Sequence, residues 1–299
     1  MLPKPIVSVA WLAEHLQEPD VRVCDCRFAL GDSGAGHGAY REGHVPGAVY
    51  LDLERDLSGP KVRSGQGGRH PLPEPFTLAK RLEALGIGDG HRVVVYDDPR
   101  GGNGMFAARA WWLLRWLGHD DVAVLDGGWP AWQESGGDVE RSTVEHPRAT
   151  FTARPHEEWL VRAEDVPSLP GTLLDSRAPA RFRGDVEPID KKAGHVPGAH
   201  NLDWATALDD RGRFRRADEQ RERLGLVPDG PVTVYCGSGV SACVNLVALE
   251  LSGRSLGKET RLYAGSWSDW VSDDARAVET GEQAPKRGSL SSEPGMTAS

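Results

Sequence analysis

Gly43-His44-Val45-Pro46-Gly47-Ala48 recurs unchanged as Gly194-His195-Val196-Pro197-Gly198-Ala199, 151 residues later in a chain of 299. A perfect match of six residues at half-length reads as an internal duplication. It sets two units of about 150 residues, each long enough to bury its own core. Proline and glycine in the hexapeptide fix a bend in each unit. Outward from it, the two copies keep one order of elements. Upstream, the β-rich runs 20–25 and 171–175 both end on an aspartate, with Arg27 or Arg177 two residues further on. Downstream, the β-branched runs 91–96 and 231–235 read as strands covered on both faces. Helices are expected over 105–116 and 239–251, the second with Val240, Cys243, Val244, Val247 and Leu251 on one stripe. Strands at 122–125 and 261–264 then lead to Gly-x-Trp turns ending at Trp129 and Trp267. Strand and helix alternate throughout, so each unit is expected to be α/β, with a mostly parallel sheet flanked by helices.

The expected boundaries are 1–140 for the first unit, 141–158 for a linker rich in charge, Thr and Pro, and 159–274 for the second unit. Residues 275–299 lack apolar periodicity and read as a disordered tail. Charged residues make up 26% of the chain and the net charge is −9. That balance argues against a general nucleic-acid binder, and an anionic substrate would need a local basic patch. Four cysteines without C-x-x-C spacing make neither a disulfide framework nor a zinc site. The N-terminal residues lack a signal-peptide pattern, and the most apolar run, Trp111 to Leu117, is broken by Arg115. A soluble protein of the reducing cytoplasm is expected.

The two units differ where chemistry would sit. The second carries Tyr235-Cys236-Gly237-Ser238-Gly239-Val240-Ser241-Ala242, and the first has Tyr96-Asp97-Asp98 at the comparable place. A cysteine at a strand end is ordinarily core. Two glycines within the next three residues set this one apart. They let the backbone curl around the sulfur, where amides at a helix start and the helix dipole favour a thiolate. A phosphate-binding P-loop would need Lys-Ser/Thr where Val240-Ser241 stands. A cysteine phosphatase would need an arginine where Ala242 stands, to clamp a tetrahedral phosphate.

These features together resemble a tandem-domain rhodanese, a sulfurtransferase. They are two copies of Asp…Arg, of Gly-His-Val-Pro-Gly-Ala and of Gly-x-Trp, with one cysteine loop. The loop 236–242 is similar to the Cys-Gly-Ser-Gly-Val-Thr-Ala loop of 3-mercaptopyruvate sulfurtransferases, with Ser241 for threonine. The thiosulfate-preferring branch typically has Arg-Lys where Gly237-Ser238 stands. The resemblance implies two rhodanese-like domains, the first catalytically silent, since Asp97 cannot carry a persulfide. It implies ping-pong transfer of a sulfane sulfur from thiosulfate or 3-mercaptopyruvate, through a Cys236 persulfide, to cyanide, a thiol or a protein cysteine. No metal or organic cofactor is expected, and neither a membrane nor a nucleic-acid partner. A sulfur-relay module serving a partner protein is the alternative.

Within that resemblance, Arg181 is the expected substrate-anion arginine, and Gly237, Gly239, Val240, Ser241 and Ala242 form the substrate cradle. Asp175 and Arg177 support it. Ser238 is placed to move a proton beside the sulfur, with His70 and Asp56 of the first unit as a possible relay. The family's second arginine has no counterpart in 185–192, where Lys191 and Lys192 are the available point charges. His44 and His195, present in both copies, are read as structural. Trp267 is read mostly as core, with a place in the pocket wall open to it.

Overall fold

The computed structural model describes residues 2–3, 5–100, 104–225, 227–257 and 259–282. The first unit runs β1 (Ile6–Val7), α1 (Val9–His15), β2 (Val21–Asp25), α2 (Ala35–Glu42), β3 (Ala48–Tyr50) and α3 (Pro75–Ala84). It continues with β4 (Arg92–Tyr96), α4 (Phe106–Trp116), β5 (Val122–Leu125) and α5 (Gly128–Glu134). The second runs β6 (Thr172–Asp175), α6 (Pro179–Arg183), β7 (His200–Asn201), α7 (Ala217–Leu224) and β8 (Val232–Tyr235). It ends with α8 (Ala242–Leu251), β9 (Thr260–Leu262) and α9 (Ser266–Trp270).

The sheets are ordered β1-β5-β4-β2-β3 and β7-β6-β8-β9, and every pairing between these strands is parallel. The second sheet repeats the first without β1. A single parallel bridge from Leu160 to Leu262 marks the missing strand's place. The central strands are buried on both faces, which is why their sequences are continuous Val/Tyr runs.

The hexapeptide and the Asp…Arg pair form one scaffold unit, built twice. Arg27 Nε donates to Asp25 Oδ2 at 2.9 Å, and Arg177 Nε to Asp175 Oδ2 at 3.1 Å. Each guanidinium also reaches the glycine that opens its hexapeptide, Gly43 O or Gly194 O, at 2.6 Å. Tyr96 and Tyr235 hydroxyls accept the Val45 and Val196 N–H groups at 3.2 Å. His44 stacks on Tyr40 and His195 on Phe182. The arginines lie over Trp129 and Trp267, 4.7 and 4.6 Å from the ring centroids. Trp267 is fully buried, so it belongs to this scaffold and does not line a pocket.

Three expectations are corrected. Helix α8 begins at Ala242 rather than at 239, because Gly239 takes φ +76°, a left-handed conformation that no helix continues. Residues 236–241 are therefore a loop. Helix α8 is also not a one-sided stripe: Ala242 through Leu249 are all buried. The helix lies between its own sheet and α4 of the first unit, itself buried from Phe106 to Leu114, so apolar residues are needed all round. Finally, the first residues of the expected tail are ordered. His195 N donates to Glu279 O at 2.8 Å, and Trp270 Nε1 donates to Ala277 O at 2.8 Å. Residues 275–282 thus pair with the second unit, and the rest of the expected tail, 283–299, lies outside the described residues.

The expected linker lies along the first unit. Phe151 is buried there, and the Thr152 amide and hydroxyl donate to the Asp89 carboxylate. One hydrophobic cluster spans both units, with α4 and Cys236, Val240 and Val244 in it, and each unit has a smaller cluster of its own. Among the described residues, no helix is long and apolar enough to cross a membrane.

Candidate active site

Cys236 follows the last residue of β8. In the sheet order β7-β6-β8-β9, the chain crosses over between β6 and β8, and such a switch point leaves a crevice at the carboxyl ends of the strands. The backbone around the sulfur is held from below. Cys236 N donates to Ser266 Oγ at 3.1 Å, Trp267 N to Cys236 O at 2.9 Å and Ser268 N to Gly237 O at 3.0 Å. Ser266 is held at φ +57°, the one non-glycine residue with positive φ among those described. The first unit has Gly128 at the matching place, at φ +54°. The strain at Ser266 holds a hydroxyl under the Cys236 amide.

The loop then turns back on the sulfur. Gly239 N donates to Cys236 Sγ at 3.1 Å. A Cβ at Gly239 would lie 2.2 Å from Ala264 O, so only glycine fits. A Cβ at Gly237 would lie 2.9 Å from Arg69 Nη2 and 3.4 Å from Arg181 Nη1. Two guanidiniums, one from each unit, therefore hang over the cysteine loop.

Cys236, Gly237, Ser238, Val240 and Ser241 line a cavity of about 200 Å³ that Arg69, His70, Arg177 and Arg181 complete. Gly239 and Ala242 shape the loop from behind and do not line it; Ala242 is fully buried at the start of α8. Roomier clefts beside Gly265 and Asp269, and around Arg55 and Arg81, do not reach Cys236.

His70 Nδ1 lies 2.8 Å from Ser238 Oγ across the interface. Burial, with Arg109 and Arg69 nearby, pushes His70 down to about 3, so the ring is neutral near pH 7. Asp56 is not joined to it. Its carboxylate accepts from Arg81 Nε at 2.9 Å, from Arg55 and from the Asp52 amide, which turns it into the loop that carries it. Lys191 and Lys192 are not at the cavity either: both ammonium groups reach Asp274.

Residues 8–135 and 157–273 each match the family model of the rhodanese-like domain. This chain belongs to the tandem-domain rhodanese sulfurtransferases. The rhodanese is 46% identical over 286 residues to a Pseudomonas aeruginosa protein named a probable 3-mercaptopyruvate sulfurtransferase, covering 93% of this chain and 98% of that one. It is 41% identical over 285 residues to a Mycobacterium tuberculosis protein provisionally named a thiosulfate sulfurtransferase, covering 92% and 97%. The crystal structure of Escherichia coli SseA, described as a 3-mercaptopyruvate sulfotransferase, superposes with a TM-score of 0.76 at 34% identity. It covers 89% of this chain and 99% of that one.

Two residues of the rhodanese site escape a reading of its sequence. Arg69 supplies the second guanidinium, from the first domain instead of from 185–192; its signal is its place next to His70. Arg109 is fully buried in α4. Its Nη1 donates to Gly239 O at 3.1 Å and its Nη2 to His70 O at 3.3 Å, with Leu57 O also in reach. Among the described residues Arg109 forms no ion pair with a carboxylate. Burial pulls its pKa down, opposed by the neighbouring Cys243 and Cys236. Its sequence signal is a lone arginine within the apolar stretch 106–114. Burial pushes Cys243 up to about 12, so it stays a thiol packed against Gly239 O.

In the first domain, Asp97 Oδ2 accepts the Phe106 and Ala107 N–H groups at 2.8 and 2.9 Å. The carboxylate sits where the other domain holds its sulfur, and Trp129 N donates to Asp97 O as Trp267 N does to Cys236 O.

Proposed function

We propose that the rhodanese transfers a sulfane sulfur through a persulfide on Cys236. The observation that carries this reading is the sulfur's setting: Sγ bonded to the Gly239 amide, in a cavity closed over by Arg69 and Arg181. The substrate class is a small anionic sulfur donor, thiosulfate or 3-mercaptopyruvate, whose acid group the two guanidiniums suit.

With thiosulfate, the Cys236 thiolate attacks the outer sulfur. A Cys–S bond forms, the donor S–S bond breaks, and sulfite leaves with the electron pair. With 3-mercaptopyruvate, the C–S bond breaks and the enolate of pyruvate leaves. The donor's own thiol proton must then move to that carbon, and Ser238 with neutral His70 is the pair placed to carry it. In the second half-reaction cyanide, a thiol or a protein cysteine attacks the outer sulfur of the persulfide and frees the thiolate. Atoms and electrons balance among donor, cysteine and acceptor, so the cycle calls for no metal or organic cofactor. A reducing cytoplasm suits it, and all four cysteines are free thiols.

A protein acceptor is the second reading. Leu30 and Ile189, one from each domain, line the cavity yet are 57% and 54% exposed, an apolar rim that a partner's cysteine loop could cover.

Intact-mass measurement after exposure to each donor tests the main reading. The expected gain is one sulfur, located at Cys236 and absent from Cys236→Ser. A chain that gains no sulfur from either donor, or a serine variant that turns over normally, overturns it.

A further inference from the structure

The two arginines over the cysteine loop are already occupied. Asp190 Oδ2 accepts from Arg181 Nη2 at 3.1 Å, and Asp190 Oδ1 makes a close ion pair with Arg69 Nη1. One carboxylate thus bridges a guanidinium of the second domain and one of the first. Its side chain is only 6% exposed. It is held there by the segment between α6 and the hexapeptide. Glu187 Oε1 accepts the Ile189 and Asp190 amides at 3.1 and 3.0 Å and Arg181 Nη2 at 2.7 Å. Two guanidinium charges at the mouth are therefore matched by two carboxylates, and Arg177 is matched by Asp175. An entering anion meets no unpaired cation on the cavity wall.

Fork geometry adds a second constraint. Arg181 spends Nη2 on both Asp190 and Glu187 and its Nε on Glu187. Arg69 Nη2 and Arg181 Nη1 lie nearest Gly237, and Asp190 holds the other terminal nitrogen of each fork, Arg69 Nη1 and Arg181 Nη2. A donor acid group that takes both terminal nitrogens of either arginine therefore needs one that Asp190 now holds. Glu187 is the deeper partner, fixed by two amides and by Arg177 as well. Among the described residues the Asp190 carboxylate has only the two arginines, so it is the one that can yield.

We propose that Asp190 is an internal anion standing in the donor's place between Arg69 and Arg181, and that the donor binds by displacing it. Asp190 thereby sets donor affinity, and it exchanges one carboxylate for the donor's acid group without ever leaving two guanidiniums bare beside the loop. The proposal rests on the sulfurtransferase reading only for what the natural anion is. The competition itself is a property of the mouth.

The test compares the full chain with Asp190→Asn, which keeps shape and removes charge. Asp185→Asn is the control, because Asp185 is an exposed carboxylate paired with Arg183, away from the cavity. Inorganic sulfate, titrated by calorimetry, reads anion affinity without any sulfur transfer. Steady-state kinetics with thiosulfate and with 3-mercaptopyruvate read the same competition during turnover. In Asp190→Asn, sulfate Kd and donor KM are expected to fall about tenfold, the size of one charge-assisted hydrogen bond. The drop should be larger for dianionic thiosulfate than for mercaptopyruvate, with kcat within about twofold. Asp185→Asn should change neither. A KM and Kd that stay or rise in Asp190→Asn would show that Asp190 only positions the arginines, and would overturn the proposal. An equal fall in Asp185→Asn would reduce the effect to net charge and overturn it too. If Cys236 takes up no sulfur while sulfate still binds tighter to Asp190→Asn, the sulfurtransferase reading fails and this one stands.

Discussion

His70 of the first domain and Ser238 of the second are bonded at 2.8 Å, 168 residues apart in the chain. The bond places a neutral imidazole beside a hydroxyl that lies two residues beyond Cys236. Only a donor whose departure moves a proton needs that pair. Ser238→Ala is expected to lower kcat with 3-mercaptopyruvate by about a hundredfold. With thiosulfate, where sulfite leaves as a stable anion, the loss should stay within about tenfold. Parallel steady-state kinetics decide it; equal losses on both donors would remove the proton relay.

Arg109 is a buried cation bonded to carbonyls of the His70 loop and the cysteine loop, beside Cys243 and Cys236. Arg109→Met is expected to slow alkylation of Cys236 at neutral pH and to cut kcat/KM by about a hundredfold, the range seen when one preorganised donor is lost. Arg109→Lys should recover part of the alkylation rate, since it returns charge without the fork. Thermal unfolding of both variants separates this from loss of fold.

Gly239→Ala meets Ala264 O at 2.2 Å in a left-handed conformation. The loop must shift, and the amide that donates to Sγ shifts with it. We expect a loss of about a hundredfold in persulfide loading, as for a misplacement near 1 Å. The stability cost should be about 1–3 kcal/mol. Mass-spectrometric loading rates and denaturant unfolding measure the two separately.

Asp97 gives a pH signature to the first domain. Burial pushes its carboxyl up to about 7, against the two amide bonds that favour the anion. The folded chain therefore keeps a proton that the unfolded chain has lost. Its contribution to stability is full below about pH 4 and disappears as pH rises through about 7. Asp97→Asn keeps an acceptor for both amides without the charge. Its Tm relative to the parent should rise by a few degrees between about pH 5 and pH 8. A difference constant with pH would show that the carboxyl titrates normally.

The sequence carried much of the fold because duplication makes pattern visible. The expected strands 20–25 and 231–235 appear as Val21–Asp25 and Val232–Tyr235, and the first expected helix as Phe106–Trp116. Helix α8 was misread because hydrophobic periodicity cannot register a neighbour from another domain. Its stripe had no meaning once α4 covered the remaining face. The tail was misread because residues 275–282 are held by backbone bonds to the hexapeptide turn and to Trp270, and backbone bonds leave no mark on composition.

The site divides the same way. Cys236, its glycines and Arg181 stand within one domain, close to motifs that a sequence displays. Arg69, Arg109, Asp190 and the true surroundings of Asp56 depend on how the two domains meet. By itself, the sequence determined two α/β repeats, a scaffold of Asp, Arg and Gly-His-Val-Pro-Gly-Ala built twice, and one copy with a cysteine where the other has Asp97. Local geometry suffices for these, since strand ends, turns and glycine loops are set by residues near in the chain. Only the tertiary structure decided which charges face the sulfur. Charges act through space over a few ångströms, and packing α4 against α8 and the His70 loop against α9 brings those groups together from opposite halves of the chain.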